Sequence, residues 1–165
     1  MMKSYRRNAL LAVVFFLLWL LGFATVGYSQ GAKAQVIPGK FYVAPSLIKN
    51  PIQFEGSGFV SKEMVVVEMV LPQGVKIKGV KQGEDAVGLA YATADVEGNF
   101  KTAMQPLATL SWFFQVGWTV NGAPDFKEAT LLTPGKYEIR AVGMASGTIA
   151  KTAMEVVAPP PEEKK

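Results

Sequence analysis

The sequence predicts an all-β domain built as a two-sheet sandwich, and three observations carry that prediction. Tyr137, Ile139 and Ala141 fall on one face of a strand, and Lys136, Glu138 and Arg140 fall on the other. A strand with side-chain period two and one dry face needs a second sheet to cover that face. From residue 41 to 157, turn signals recur at roughly ten-residue intervals, and no segment there keeps the apolar period of a helix.

Ahead of this region, Lys3, Arg6 and Arg7 form a positive start, and no charged residue follows from Ala9 to Gln30. The apolar run Ala9–Val26 is 18 residues long, longer than the core of an ordinary export signal and close to the length that spans a bilayer. Two readings stand: a cleaved signal peptide, with Ala32-Lys33-Ala34 or Gly27-Tyr28-Ser29 as the small-residue site, or a retained signal-anchor helix in the cytoplasmic membrane. Both leave the positive start in the cytoplasm and the domain outside, in the periplasm or at the cell surface. The expected organisation is a signal or anchor over 1–34, a sandwich domain over 35–157 and a Pro-rich charged tail over 158–165.

Composition excludes several classes of chemistry. The chain has no Cys and no His, so Ser-His-Asp and Cys-His nucleophiles, the usual zinc sites and disulfides are all ruled out. Of the 17 Lys+Arg, four (Lys3, Arg6, Arg7 and Lys33) belong to the leader region, so the domain is left with 13 cations against 13 acids. A neutral domain gives no footing for nucleic acid. Seven Met residues raise the idea of a copper carrier, but they are scattered at core-like positions without imidazole support. The expectation is therefore a protein that is not an enzyme and carries no cofactor or metal.

Taken in order, Gly31–Lys40 reads as a polar connector and Phe41-Tyr42-Val43 as a first edge strand before Pro45. Ile52–Glu55 alternates, and Gly56-Ser57-Gly58-Phe59 turns the chain. Val65, Val67, Met69 and Leu71 share one strand face opposite Glu68, and Pro72-Gln73-Gly74 ends that strand. Val75 and Ile77, alternating with Lys76 and Lys78, predict a further short strand before the polar turn Gln82–Asp85. Val87, Leu89 and Tyr91 make a bulky face opposite the nearly bare Gly88, Ala90 and Ala92. Asp95–Phe100 is a hairpin turn rather than a calcium loop, because the alternating ligands and terminal Glu of such a loop are missing.

Leu110–Trp118 reads as a strand with Leu110, Trp112, Phe114, Val116 and Trp118 facing the interior, which turns Phe113 outward. Asn121–Pro124 is a turn, Ala129–Leu132 pairs briefly, and Thr148–Val157 is the last strand, with Ala150, Met154 and Val156 inward.

Gly56-Ser57-Gly58-Phe59 before a Val-rich strand, the Ala94–Phe100 hairpin, and Thr133-Pro134-Gly135-Lys136-Tyr137-Glu138-Ile139-Arg140-Ala141 occur in that order. In this the chain resembles the bacterial immunoglobulin-like domains of exported and cell-surface proteins. The resemblance implies an immunoglobulin-like sandwich in which Tyr137, beside Gly135, is a corner tyrosine with its ring in the core and its hydroxyl bonded to upstream backbone. It implies a binding, spacer or assembly role and no reaction.

The expected function is binding to another envelope protein, or self-assembly, through a surface that includes Phe113, Phe126, Trp112 and Trp118. The alternative is a carbohydrate- or small-ligand-binding domain in which Trp112, Trp118 and Tyr91 stack on the ligand.

Overall fold

The structure, a computed structural model, describes residues 31–161. The expected leader and its helix lie outside those residues, as does the end of the tail, 162–165.

The domain is all-β. Its strands are β1 (Lys33–Ile37), β2 (Lys40–Phe41), β3 (Gln53–Ser57), β4 (Met64–Val70), β5 (Ala86–Thr93), β6 (Phe100–Ala103), β7 (Gly117–Trp118), β8 (Pro124–Asp125), β9 (Gly135–Gly143) and β10 (Ile149–Val156). They form a three-stranded sheet in the order β1-β3-β6, a five-stranded sheet in the order β2-β10-β9-β4-β5, and the small hairpin β7-β8. All pairings are antiparallel except the short β2–β10 contact.

Alternation decides which faces are dry. Val65, Val67 and Met69 on β4, Tyr137, Ile139 and Ala141 on β9, and Ala150, Met154 and Val156 on β10 are all buried. They share a single core with Val36, Phe54 and Phe100 from the three-stranded sheet. Burying each large side chain stabilises the fold by about 1.5–3 kcal/mol.

The Tyr137 ring lies in this core, and its hydroxyl donates to the Thr133 carbonyl at 2.7 Å. This is the upstream backbone bond expected of it. Gly135 opens β9, and a Cβ there would make only ordinary contact, 3.7 Å, with the Tyr137 ring. Tyr137→Phe is expected to cost about 0.5–1.5 kcal/mol by removing this bond. An unchanged urea midpoint would show that the bond contributes nothing.

Four expectations are corrected. The segment 31–40 is not a connector: Ala34 and Val36 alternate with Lys33 and Gln35, and β1 pairs with β3 from Lys33↔Ser57 to Ile37↔Gln53. The domain thus begins two residues ahead of the expected boundary at 35. Gly56 and Ser57 belong to β3 rather than to a turn, because a glycine at 56 leaves room for the Phe100 ring and the Lys33 carbonyl.

Val75–Lys78 forms no strand, since Gly74 and Gly79, at φ +84° and +86°, bend the chain on both sides. Ile77 is buried all the same.

Leu110–Trp118 is not one strand either. Pro106 starts a helical turn, Pro106–Ala108, which widens into a π turn over Thr109–Phe113 before the short strand β7. Gln105 just before it is extended, as a residue preceding proline prefers.

Candidate functional site

Register builds the candidate site on the outer face of the five-stranded sheet. β5 carries a bulge: Val67 pairs with Ala90 and Glu68 with Gly88, so Leu89 is the extra residue. Leu89 and Ala90 are therefore both buried, and Tyr91 turns outward instead of sharing the face of Val87 and Leu89. In directly paired positions the side chains point the same way. Tyr91, Val66, Val142 and Ile149 therefore form one apolar row across four strands.

The next row along the same face is Gly88, Glu68, Arg140 and Lys151. There Arg140 Nε lies 2.8 Å from Glu68 Oε1, an ion pair by distance but too oblique for a hydrogen bond. Further along, Lys151 pairs with Glu138 at 3.0 Å and Lys40 with Glu155 at 2.8 Å. One end of the face is apolar and the other is charged.

The apolar row continues into a groove of about 480 Å³ between the sheet and the 106–113 turns, walled by Met64, Val66, Tyr91, Leu107 and Trp112. Two bonds tie Gln105 and the turns that follow it to the outer edge of β5, and a third reaches that edge from Thr102 of β6. Gln105 N–H donates to the Leu89 carbonyl at 2.9 Å, Trp112 Nε1–H to Gly88 O at 3.0 Å, and Thr102 Oγ1–H to Tyr91 O at 3.0 Å. The bare spot at Gly88 thus meets the Trp112 indole.

The four candidate surface residues separate. Phe113 is 0% exposed and stacks on Phe41 with ring centres 6.0 Å apart, which corrects its expected outward placement. A π turn does not alternate faces, so Phe113 and Phe114 are both buried. Phe126 is 52% exposed and meets Phe114, not Phe113, edge to face.

Trp112 and Trp118 line a second cleft of about 350 Å³ together with Lys78 and Glu128, which pair at 3.1 Å. Gln115, with φ +44°, accepts the Lys78 N–H at 2.8 Å and fixes that loop beside the tryptophans. Sequence reasoning missed Lys78, Glu128, Met64, Val66, Val142 and Ile149. Val66, outward beside Glu68 in the alternation of β4, was the one legible signal among them.

At the apolar end, Glu63 is a buried carboxylate that ties loops together. It accepts Val60 N–H at 2.6 Å, Ser146 N–H at 3.0 Å and Ser146 Oγ–H at 3.0 Å. Gly143 lies directly beneath, where a Cβ would sit 2.6 Å from the carboxylate. Burial raises the Glu63 pKa, but the hydrogen bonds from Val60, Ser146 and Ala145 outweigh it and hold the group below its ordinary value.

A depressed carboxylate contributes stability that is fully present above its unfolded pKa and is lost as pH falls through the folded one. Glu63→Gln should therefore lower the melting temperature at neutral pH and flatten its fall in acid. An equally steep acid limb in the variant would assign that limb to other groups.

Among the described residues no three carboxylates gather as a metal site, and no helix is long and apolar enough to cross a membrane. No family model and no curated protein matches the sequence. Among solved structures, the chain is similar to a β-glucosidase, EmGH1, from Erythrobacter marinus, with a TM-score of 0.40 and 12% identity. The likeness covers 77% of this chain and 15% of the glucosidase.

Proposed function

We propose that this chain is a non-enzymatic, exported module with an immunoglobulin-like sandwich, anchored by residues 9–30, that binds another envelope protein. The apolar row Tyr91, Val66, Val142 and Ile149, continuous with the Trp112 groove, carries the reading. Single exposed apolar residues are ordinary, whereas a contiguous patch on a neutral domain is the usual mark of a partner surface. Register argues against cleavage at Ala32-Lys33-Ala34, because a cut after Ala34 removes two of the five β1–β3 register pairs, whereas Gly27-Tyr28-Ser29 lies ahead of β1. The anchored reading rests on the bilayer-spanning length of Ala9–Val26.

The test is a photo-crosslinker at Tyr91 in the native envelope, with mass spectrometry of the product. A defined protein adduct is expected, and it should vanish when the same probe is carried by the Leu107→Lys, Ile149→Lys double variant, both residues being exposed on this face. Stability of that variant should stay within about 0.5 kcal/mol per site, as for ordinary surface substitutions. An adduct to the chain itself would identify self-assembly, and undiminished crosslinking would remove this face from the account.

Saccharide binding is the second reading, supported by the cleft that joins Trp112 and Trp118 to the Lys78–Glu128 pair. Tyr91 lies in the other groove, so its platform is the two tryptophans. Trp118→Ala separates the readings: it should weaken an oligosaccharide titration followed by tryptophan fluorescence and leave a protein partner bound.

A further inference from the structure

Three loops meet at one end of the molecule, and each carries an exposed apolar side chain: Val60 at 52%, Val96 at 72% and Met144 at 62%. They are fastened to one another. Phe59 N–H donates to the Gly98 carbonyl at 3.1 Å and Lys62 N–H to the Ala94 carbonyl at 3.1 Å, joining the loop before β4 to the β5–β6 hairpin. Glu63 bonds Ser146 of the β9–β10 turn, and Met144 N–H donates to Met64 O at 2.9 Å. The three tips are thereby presented together, on a braced support.

The chain enters the domain at this same end. Lys33, the first residue of β1, lies opposite Ser57, directly before the Gly58–Glu63 loop. The apolar run ends at Val26, about seven residues earlier, and such a connector spans at most roughly 25 Å. The nine residues of β9 put the far end of the sheet about 30 Å away. An anchor at 9–26 therefore holds the three tips within reach of the bilayer and keeps the Pro72–Asp85 loop out of reach.

The charges around the tips have both signs: Lys33 and Lys62, Asp95 and Glu97, all exposed. Asp95 stays ionised because Asn99 and Glu97 N–H groups hydrogen-bond its carboxylate and hold its pKa below the ordinary value. Such a mixed ring does not select an anionic surface. It suits zwitterionic headgroups, with phosphate for Lys62 and ammonium for the carboxylates.

We propose that Val60, Val96 and Met144 form a second membrane contact, dipping among the headgroups of zwitterionic phospholipid on the outer surface of the anchoring bilayer. The proposal rests on the retained-anchor reading of residues 9–30, whose apolar run is Ala9–Val26. It stands the outer sheet face upright with its apolar row at the membrane end, where a membrane-embedded partner is met.

The chain has no cysteine, so Val60→Cys, Val96→Cys, Met144→Cys and the far-end control Gln73→Cys each accept one environment-sensitive thiol label. The full-length variants are reconstituted in phosphatidylcholine–phosphatidylethanolamine vesicles, with and without phosphatidylglycerol. Each is then quenched by spin-labelled lipid or by aqueous iodide.

Labels at 60, 96 and 144 are expected to quench roughly threefold more with lipid than with iodide, as for groups at headgroup depth, and the label at 73 should do the reverse. Alkaline extraction reads the anchor separately. A chain that stays in the membrane with iodide-accessible loop labels overturns the bilayer contact alone, whereas a chain released into the supernatant overturns anchor and contact together. Shielding from both quenchers would place a second copy over the loops, and contact only with phosphatidylglycerol would refute the zwitterionic match; either result overturns the proposal.

Discussion

Phe113→Ala is expected to destabilise the domain by about 3–5 kcal/mol, the range for deleting a fully buried aromatic ring. Phe113 has no exposed surface, stacks on Phe41, and its carbonyl accepts Leu132 N–H at 2.8 Å. A loss of that size is a large fraction of the ~5–15 kcal/mol that holds a typical domain together. Phe126→Ala is the internal comparison: half exposed and in one edge contact with Phe114, it should cost about 1 kcal/mol. Urea unfolding followed by tryptophan fluorescence decides the matter. Equal midpoints for the two variants would contradict the π-turn placement of Phe113.

Gly98→Ala is expected to cost about 2–5 kcal/mol, because two penalties fall on one residue. Its φ is +79°, and a side chain in the left-handed region costs roughly 1–2 kcal/mol. A Cβ there would also overlap the Phe59 carbonyl oxygen, with the Phe59 carbonyl carbon at 3.2 Å and nitrogen at 3.3 Å. These are backbone atoms and cannot swing aside, so overpacking adds about 1–3 kcal/mol. Gly122, at φ +75° with open space around it, isolates the first penalty. If Gly122→Ala proves as costly as Gly98→Ala, the contact with Phe59 contributes nothing.

How much of this was legible depends on whether a segment alternates and keeps alternating. β4, β9 and β10 do, and their dry faces were readable residue by residue. β5 alternates only up to Leu89, where one extra residue in the ladder reverses the face of Tyr91. No sequence pattern announces such a bulge, since Ala90 and Gly88 are equally at home on either side.

Around the tryptophans, large residues at even positions imitated a strand. The informative residue was Pro106, which has no N–H to give a ladder and suits the first turn of a helix. The apolar row was beyond reach for a different reason. Each member is visible as an apolar residue, but Val66 and Ile149 become neighbours only through β9, which stands between them.

The edges of the five-stranded sheet govern how copies of this chain can associate. A strand edge is a template for another chain only while its backbone groups are free. On β5 the carbonyls of Gly88, Leu89 and Tyr91 are already occupied by Trp112, Gln105 and Thr102. At the opposite border β2, two residues long, pairs with β10 only at Glu155 and Val156, and its Lys40 is paired to Glu155. Pairing of another strand along the β5 border is thus blocked at the Gly88, Leu89 and Tyr91 carbonyls. That border therefore offers no row of free carbonyls to a strand from another chain, and the apolar row beside it is reached only from the face.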